Sequence, residues 1–134
     1  IISRLNEITE RVCFIQGRQN GVLKEYQKKL REKISQLTNG MQLDEARLAQ
    51  EAALLAERAD ISEELTRLES HLSQFLKLLD GQGPLGRKLE FLLQEINRET
   101  NTLGSKTSDI QVSRTVIEMK STIEKVREQI QNIE

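Results

Sequence analysis

The chain has 134 residues and is almost electrically neutral, with 20 Lys+Arg, 21 Asp+Glu and a formal net charge of −1. Its length suits one domain. Aromatic residues make up only 3%, while Ala, Glu, Lys, Leu and Arg together make up 62 of the 134 residues, about 46%, a composition typical of long helices or coiled coils. The longest apolar run, from Ala52 to Ala56, falls far short of the roughly 20 residues that a membrane-spanning helix needs. A single cysteine, Cys13, and a single histidine, His71, exclude an intramolecular disulfide and a Cys/His zinc site. We expect a cytoplasmic protein without a membrane segment.

Apolar residues recur at spacings of three and four along the chain, which predicts a succession of helices. The first helix is expected over roughly 2–38, because the stripe that begins at Leu5 resumes beyond Gly17 and Gly21 and stops at Asn39-Gly40. A second helix, with an alanine-rich face, is expected from about Leu43 to Arg58.

Capping patterns divide the second half of the chain into three further helices. Asp60-Ile61-Ser62-Glu63 resembles a capping box and opens a third helix that stops at Asp80-Gly81. Pro84 suits the first position of a fourth helix, which is expected to end at Gly104. Ser108-Asp109-Ile110-Gln111 has the spacing of a second capping box, with Ser108 as the cap.

The last helix carries a coiled-coil-like seam from Val116 to Ile133. We expect this seam to pair with the first helix or with another chain. The predicted fold is therefore all-α, with long helices and an antiparallel helical hairpin packed as in a coiled coil. We expect residues 1–56 to form a helical lead-in or coiled-coil arm and residues 57–134 to form a C-terminal helical domain.

The short connection between the third and fourth helices makes them antiparallel neighbours. Matching their leucines places His71 opposite Gln94 and Glu95, and Arg67 beside Arg98. An imidazole, carboxylates and arginines at one level are the mixture that phosphate chemistry uses. The alternative is an ordinary solvated edge with weak surface salt bridges.

Two other features have competing interpretations. Gly81 to Lys88 spaces its glycines as a P-loop does, but Arg87 replaces the lysine and no strand precedes it, so we reject nucleotide binding by this motif. The amides that open the fourth helix could still hold a phosphate or a carboxylate, and an ordinary turn is the equal alternative. Phe75 and Phe91 could stack on bases, but their helical spacing favours core packing.

Several long runs resemble the C-terminal half of the YicC/YloC family. Residues 57–71 read ERADISEELTRLESH, residues 86–102 read GRKLEFLLQEINRETNT, and residues 124–134 read EKVREQIQNIE, with Ser105-Lys106 between them. Residues 1–56 fit as a helical lead-in. The resemblance, together with a start that lacks methionine, implies a piece of a longer protein without the family's N-terminal domain.

The resemblance further implies a bacterial, cytoplasmic, metal-dependent endoribonuclease that cleaves RNA, assembles as a ring-like hexamer and works beside other RNA-decay proteins. On these positions we predict His71 and Glu95 as catalytic residues, with His71 as the general acid or base. We predict Glu64, Glu95 and Glu99 as ligands of Mn²⁺ or Mg²⁺. The predicted phosphate-binding cations are Arg58, Arg67, Arg87, Lys88, Arg98 and Lys106. The alternative is a non-catalytic oligomerisation or adaptor module built on the Val116 to Ile133 seam.

Overall fold

Five α-helices make up the computed structural model, which describes residues 1–38, 45–81 and 85–133. They are α1 (Ile2–Thr38), α2 (Glu45–Ala59), α3 (Ser62–Leu79), α4 (Gly86–Lys106) and α5 (Ile110–Ile133). No strand occurs within these residues, which confirms the all-α class. Within the same part of the chain, no helix has the length and apolarity needed to cross a membrane. The features predicted at Asn39-Gly40, Leu43 and Pro84 lie outside the described residues.

The first half of α1 forms a four-helix bundle with α3, α4 and α5. In this bundle α3 packs on α1 and α4, and α5 packs on α4 and α1. Arg11 contacts Glu118 at 3.1 Å and Arg18 contacts Asp109 at 2.7 Å, so α1 and α5 run in opposite directions. Helix α1 also packs on α2.

One continuous core fills the bundle. Its largest buried member is Phe75, at 0% exposure, and α1 contributes Leu5, Ile8, Val12 and Ile15 to the same cluster. These are the residues that open the apolar stripe of the first helix, so the pattern of spacing three and four identifies the buried face correctly. The start of α1 therefore shares its core with the later helices. The division of the chain at residue 56 stays a prediction.

The apolar seam of α5 is buried within this chain. Val116, Met119, Ile123, Val126 and Ile130 are each at most 5% exposed and belong to the common core. Because α5 packs on α1 and α4, the expected pairing with the first helix is confirmed. The seam is thus occupied by the chain's own helices.

Gly104 does not end α4, contrary to the expectation from its sequence. The helix continues through it to Lys106. A Cβ atom at this position would lie 2.9 Å from Cγ1 of Val116. The glycine is therefore needed for the close approach of α4 and α5, since any larger residue would meet a buried valine.

The caps of α3 and α5 differ in detail from the predicted boxes. Asp109, rather than Ser108, caps α5, because its carboxylate accepts a hydrogen bond of 3.0 Å from the backbone amide of Gln111. At α3, Asp60 accepts a hydrogen bond of 2.9 Å from the amide of Ser62. Glu63 forms an ion pair with Arg67 at 3.7 Å.

Candidate metal centre and nucleic-acid interface

The polar edge predicted for the helical hairpin lies along the contact between α3 and α4. Glu64, Arg67 and His71 follow one another on α3 at spacings of three and four residues, which places them on one face of the helix. On α4, Glu95 and Glu99 are four residues apart and share a face in the same way. The apolar seam beside them fixes the two helices against each other.

Three of these side chains converge. His71, Glu95 and Glu99 each place one potential ligand atom within 4.8 Å of the others. Glu99 is 7% exposed, and the other two are half-buried. The Nδ1 atom of His71 is buried and has no hydrogen-bond partner among the described residues. We call these three residues the His–Glu cluster.

A chain of ion pairs extends from the cluster along the hairpin. Nε of Arg67 lies 2.9 Å from Oε1 of Glu99, and the same guanidinium lies 3.8 Å from Oε1 of Glu64. Lys106 donates a 2.7 Å hydrogen bond to the same Oε1 atom of Glu64. The Glu64 residue is only 1% exposed. The hydrogen bond to Glu99 raises the pKa of Arg67 above its usual value, so the guanidinium stays charged.

The charges of this region nearly balance. Three carboxylates, those of Glu64, Glu95 and Glu99, face the two cations Arg67 and Lys106. With a neutral imidazole, the region carries one net negative charge. A buried oxygen of Glu64, Oε2, also has no partner within the described part of the chain. The region's net charge of −1 would therefore offset half of the charge of a divalent cation.

The structure brings some of the predicted site residues together and separates others. His71 lies beside Glu95, as the antiparallel arrangement predicts, and also beside Glu99, which that arrangement does not predict. The sequence predicts Arg67 beside Arg98, and in the structure Arg67 forms its ion pair with the next residue of α4, Glu99. Glu64 lies outside the His–Glu cluster and is connected to it through Arg67.

The predicted phosphate-binding cations fall into two groups. Arg67 and Lys106 are engaged by the carboxylates of Glu64 and Glu99. The others are exposed and have no ion pair with any described residue: Arg58 at the end of α2, and Arg87, Lys88 and Arg98 on α4. The second group is the one available to an external anion.

Phe91 is the clearest departure from the sequence analysis. Phe75 is fully buried as expected, but Phe91 is 61% exposed, so the prediction that it packs in the core is wrong. The core face of α4 is already formed by residues such as Leu92 and Ile96, and Phe91 points away from them. Arg87 precedes Phe91 by four residues and Arg98 follows it by seven, so the three side chains lie on one face of the helix. This spacing is the sequence signal that groups Phe91 with the two exposed arginines.

Comparison with known proteins identifies the family. Residues 15–134 match the family model described as endoribonuclease YicC-like, C-terminal. The chain is 44% identical over 135 aligned positions to the probable endoribonuclease YicC of Clostridioides difficile (strain 630), an alignment that covers 100% of this chain and 46% of that protein. It is 47% identical over 94 residues to the probable endoribonuclease YicC of Haemophilus influenzae, which covers 70% of this chain and 33% of that protein.

The chain thus spans less than half the length of these curated relatives. Its matched region includes α2 to α5 and the His–Glu cluster. The extent of the match places the chain in the YicC-like endoribonuclease family, as its C-terminal region.

Proposed function

We propose that this chain is part of a metal-dependent endoribonuclease, and that His71, Glu95 and Glu99 hold its divalent metal ion. The observation that carries the proposal is the convergence of three ligand atoms within 4.8 Å between α3 and α4. Membership of a family named for endoribonuclease activity supports RNA as the substrate.

The donor set of the His–Glu cluster suits such an ion. Metal–ligand distances of about 2.0–2.2 Å place the ligands of one ion roughly 3–4.4 Å apart, so three atoms that lie within 4.8 Å of one another are near ligand spacing. The buried Nδ1 of His71 has no hydrogen-bond partner in the described part of the chain, a condition that costs about 1–3 kcal/mol in a folded protein unless a ligand relieves it. An imidazole beside carboxylates suits Mn²⁺ better than Mg²⁺, which prefers an all-oxygen shell.

The chain's own residues have distinct tasks in this proposal. Arg67 holds Glu99 through a 2.9 Å contact and so orients that carboxylate, leaving its second oxygen available as a ligand. Arg98 is exposed three residues after Glu95, where it would bind a substrate phosphate. A bound metal ion would supply a Lewis acid that polarises a phosphate oxygen.

Titration calorimetry with Mn²⁺ tests the ligand assignment without depending on activity. We expect His71→Ala and Glu99→Gln to weaken Mn²⁺ binding at least tenfold, the range seen when a ligand or its immediate support is lost. Glu128→Gln is the matched control, because Glu128 is an exposed carboxylate on α5. Undiminished Mn²⁺ affinity in both cluster variants would refute the assignment.

Cleavage of a labelled RNA oligonucleotide in Mn²⁺, Mg²⁺ and EDTA tests the activity itself. We expect cutting in Mn²⁺ that stops in EDTA and in Glu95→Gln. The sequence predicts a competing role for His71, which is proton transfer. If His71 transfers protons and does not bind the metal ion, His71→Ala should keep Mn²⁺ affinity and alter the pH dependence of cleavage. Cutting by the wild type that persists in both variants would move the active centre away from this hairpin.

The alternative of a non-catalytic oligomerisation or adaptor module has less support. It rests on the α5 seam, and Val116 and Ile130 of that seam are buried in the chain's own core. Assembly into a hexamer and association with RNA-decay proteins stay predictions. Sedimentation velocity over a range of concentrations measures the first of these directly.

A further inference from the structure

One face of α4 points away from the bundle and has an unusual composition. We call it the outer stripe, and its residues follow one another at alternating spacings of four and three, which keeps them on one side of the helix. All of them are exposed: Arg87, Phe91, Gln94, Arg98, Asn101 and Ser105. The opposite side of α4, with Leu92, Leu93 and Ile96, lies in the core.

The outer stripe is basic and free of carboxylates. The acidic residues of α4 are Glu90, Glu95 and Glu99, and each of them is at least half-buried. Glu90 and Glu95 border the stripe, three residues after Arg87 and four after Phe91. Neither Arg87 nor Arg98 forms an ion pair with a residue that the structure describes. Their charges are thus available to a polyanion, in a chain whose overall charge is −1.

Phe91 gives the stripe a second property. Its side chain is 61% exposed, and it lies between the two arginines with an amide, Gln94, next to it. Aromatic rings on a basic surface are stacking platforms for unpaired bases, and side-chain amides recognise base edges. An isolated exposed apolar residue would need no explanation, but this one sits among groups that bind phosphates and bases.

We propose that the outer stripe of α4 binds single-stranded RNA, with an unpaired base stacked on Phe91 and flanking phosphates on Arg87 and Arg98. The inference rests on the proposed RNA substrate and is independent of the metal ion. Phe91 precedes Glu95 by four residues, about 6 Å along the helix axis. A base held on Phe91 would therefore bring a neighbouring phosphate to the His–Glu cluster.

Fluorescence of an RNA oligonucleotide that contains 2-aminopurine, measured in EDTA, tests this inference apart from cleavage. The wild type should bind the single strand and quench the fluorophore by stacking. Phe91→Leu should weaken binding about 5- to 150-fold, the range for one stacked base, and should abolish the quenching. Phe91→Tyr, which keeps the ring, should retain both.

Phe14→Leu is the matched control. Phe14 is a second exposed phenylalanine, at 47% exposure, but it lies on α1, which packs on α2, α3 and α5. Its replacement should leave RNA binding unchanged. An equal loss of affinity in the two leucine variants would overturn the assignment to α4.

Salt dependence separates stacking from phosphate contact. Arg98→Gln should lower the slope of log affinity against log salt by about 0.7, the value for one phosphate of a single strand, whereas Phe91→Leu should leave the slope unchanged. A fully paired duplex should not distinguish Phe91→Leu from the wild type, because its bases are already stacked.

The possible results decide the two proposals separately. RNA binding that depends on Phe91, together with unchanged Mn²⁺ affinity in the His71→Ala and Glu99→Gln variants, supports the stripe and refutes the metal centre. Cleavage with equal RNA affinity in Phe91→Leu refutes the stripe alone. If Phe91→Leu leaves RNA binding intact and instead changes the sedimentation of the chain, the face contacts protein and the inference is wrong. An absence of RNA binding by the wild type would overturn both.

Discussion

A Gly104→Ala substitution would add one methyl group where α4 and α5 touch. Within a helix this exchange normally stabilises by about 1 kcal/mol, because alanine is the better helix former. Here the new Cβ would lie 2.9 Å from Cγ1 of Val116, and a buried β-branched side chain cannot easily rotate away. Overpacking of this kind costs about 1–3 kcal/mol. We expect the free energy of unfolding to fall by about 0–2 kcal/mol.

Urea denaturation followed by circular dichroism measures this change. Gly17→Ala is the matched control, because a Cβ there would meet no atom of the described residues within 4 Å, and this variant should gain about 1 kcal/mol. In a Val116→Ala background the obstructing methyl group is gone, so Gly104→Ala should become stabilising. The reasoning would be refuted if Gly104→Ala stabilised the unaltered chain as much as Gly17→Ala does.

Three further predictions concern stability. Asp109→Ala should lower the free energy of unfolding by about 1 kcal/mol at neutral pH, because α5 loses its N-cap; unchanged urea midpoints would contradict this. The hydrogen bond from Arg18 holds the pKa of Asp109 below its usual value. The stability that ionised Asp109 contributes is therefore complete above about pH 4 and is lost as the pH falls through this lowered pKa. Midpoints should therefore fall more steeply in acid for the wild type than for Asp109→Asn. Phe75→Ala should cost about 3–5 kcal/mol and Phe91→Ala within about 0.5 kcal/mol, a contrast that thermal unfolding would reveal.

Most of the fold follows from the spacing of apolar residues. The stripe that begins with Leu5 and Ile8 identifies a buried helical face whatever its partner is. The ends of the helices are less predictable, because they depend on contacts between distant residues. Asp109 caps α5 and also receives Arg18, a residue 91 positions earlier in the chain, which a local capping pattern cannot reveal.

The candidate site was predictable to within about one residue of helix register. The match of the leucines along the antiparallel hairpin brings His71 to Glu95, and the two lie together in the structure. A shift of one residue turns a helix by about 100°, which exchanges Arg98 for Glu99 as the partner of Arg67. The exposure of Phe91 is hard to predict for the same reason. Leucines lie on several sides of α4, so the sequence does not fix which face of this helix is buried.

The His–Glu cluster and its ion pairs come entirely from one hairpin, between Glu64 on α3 and Lys106 on α4. The site is therefore one contiguous segment of the chain, and the residues of the cluster and its ion pairs all belong to α3 and α4. If the hairpin were transplanted alone, Leu65 and Leu103 would be exposed to water. In this protein they share one core with residues of α1 and α5. A host scaffold that offers two antiparallel helices in their place is the minimum that would carry this site into another protein.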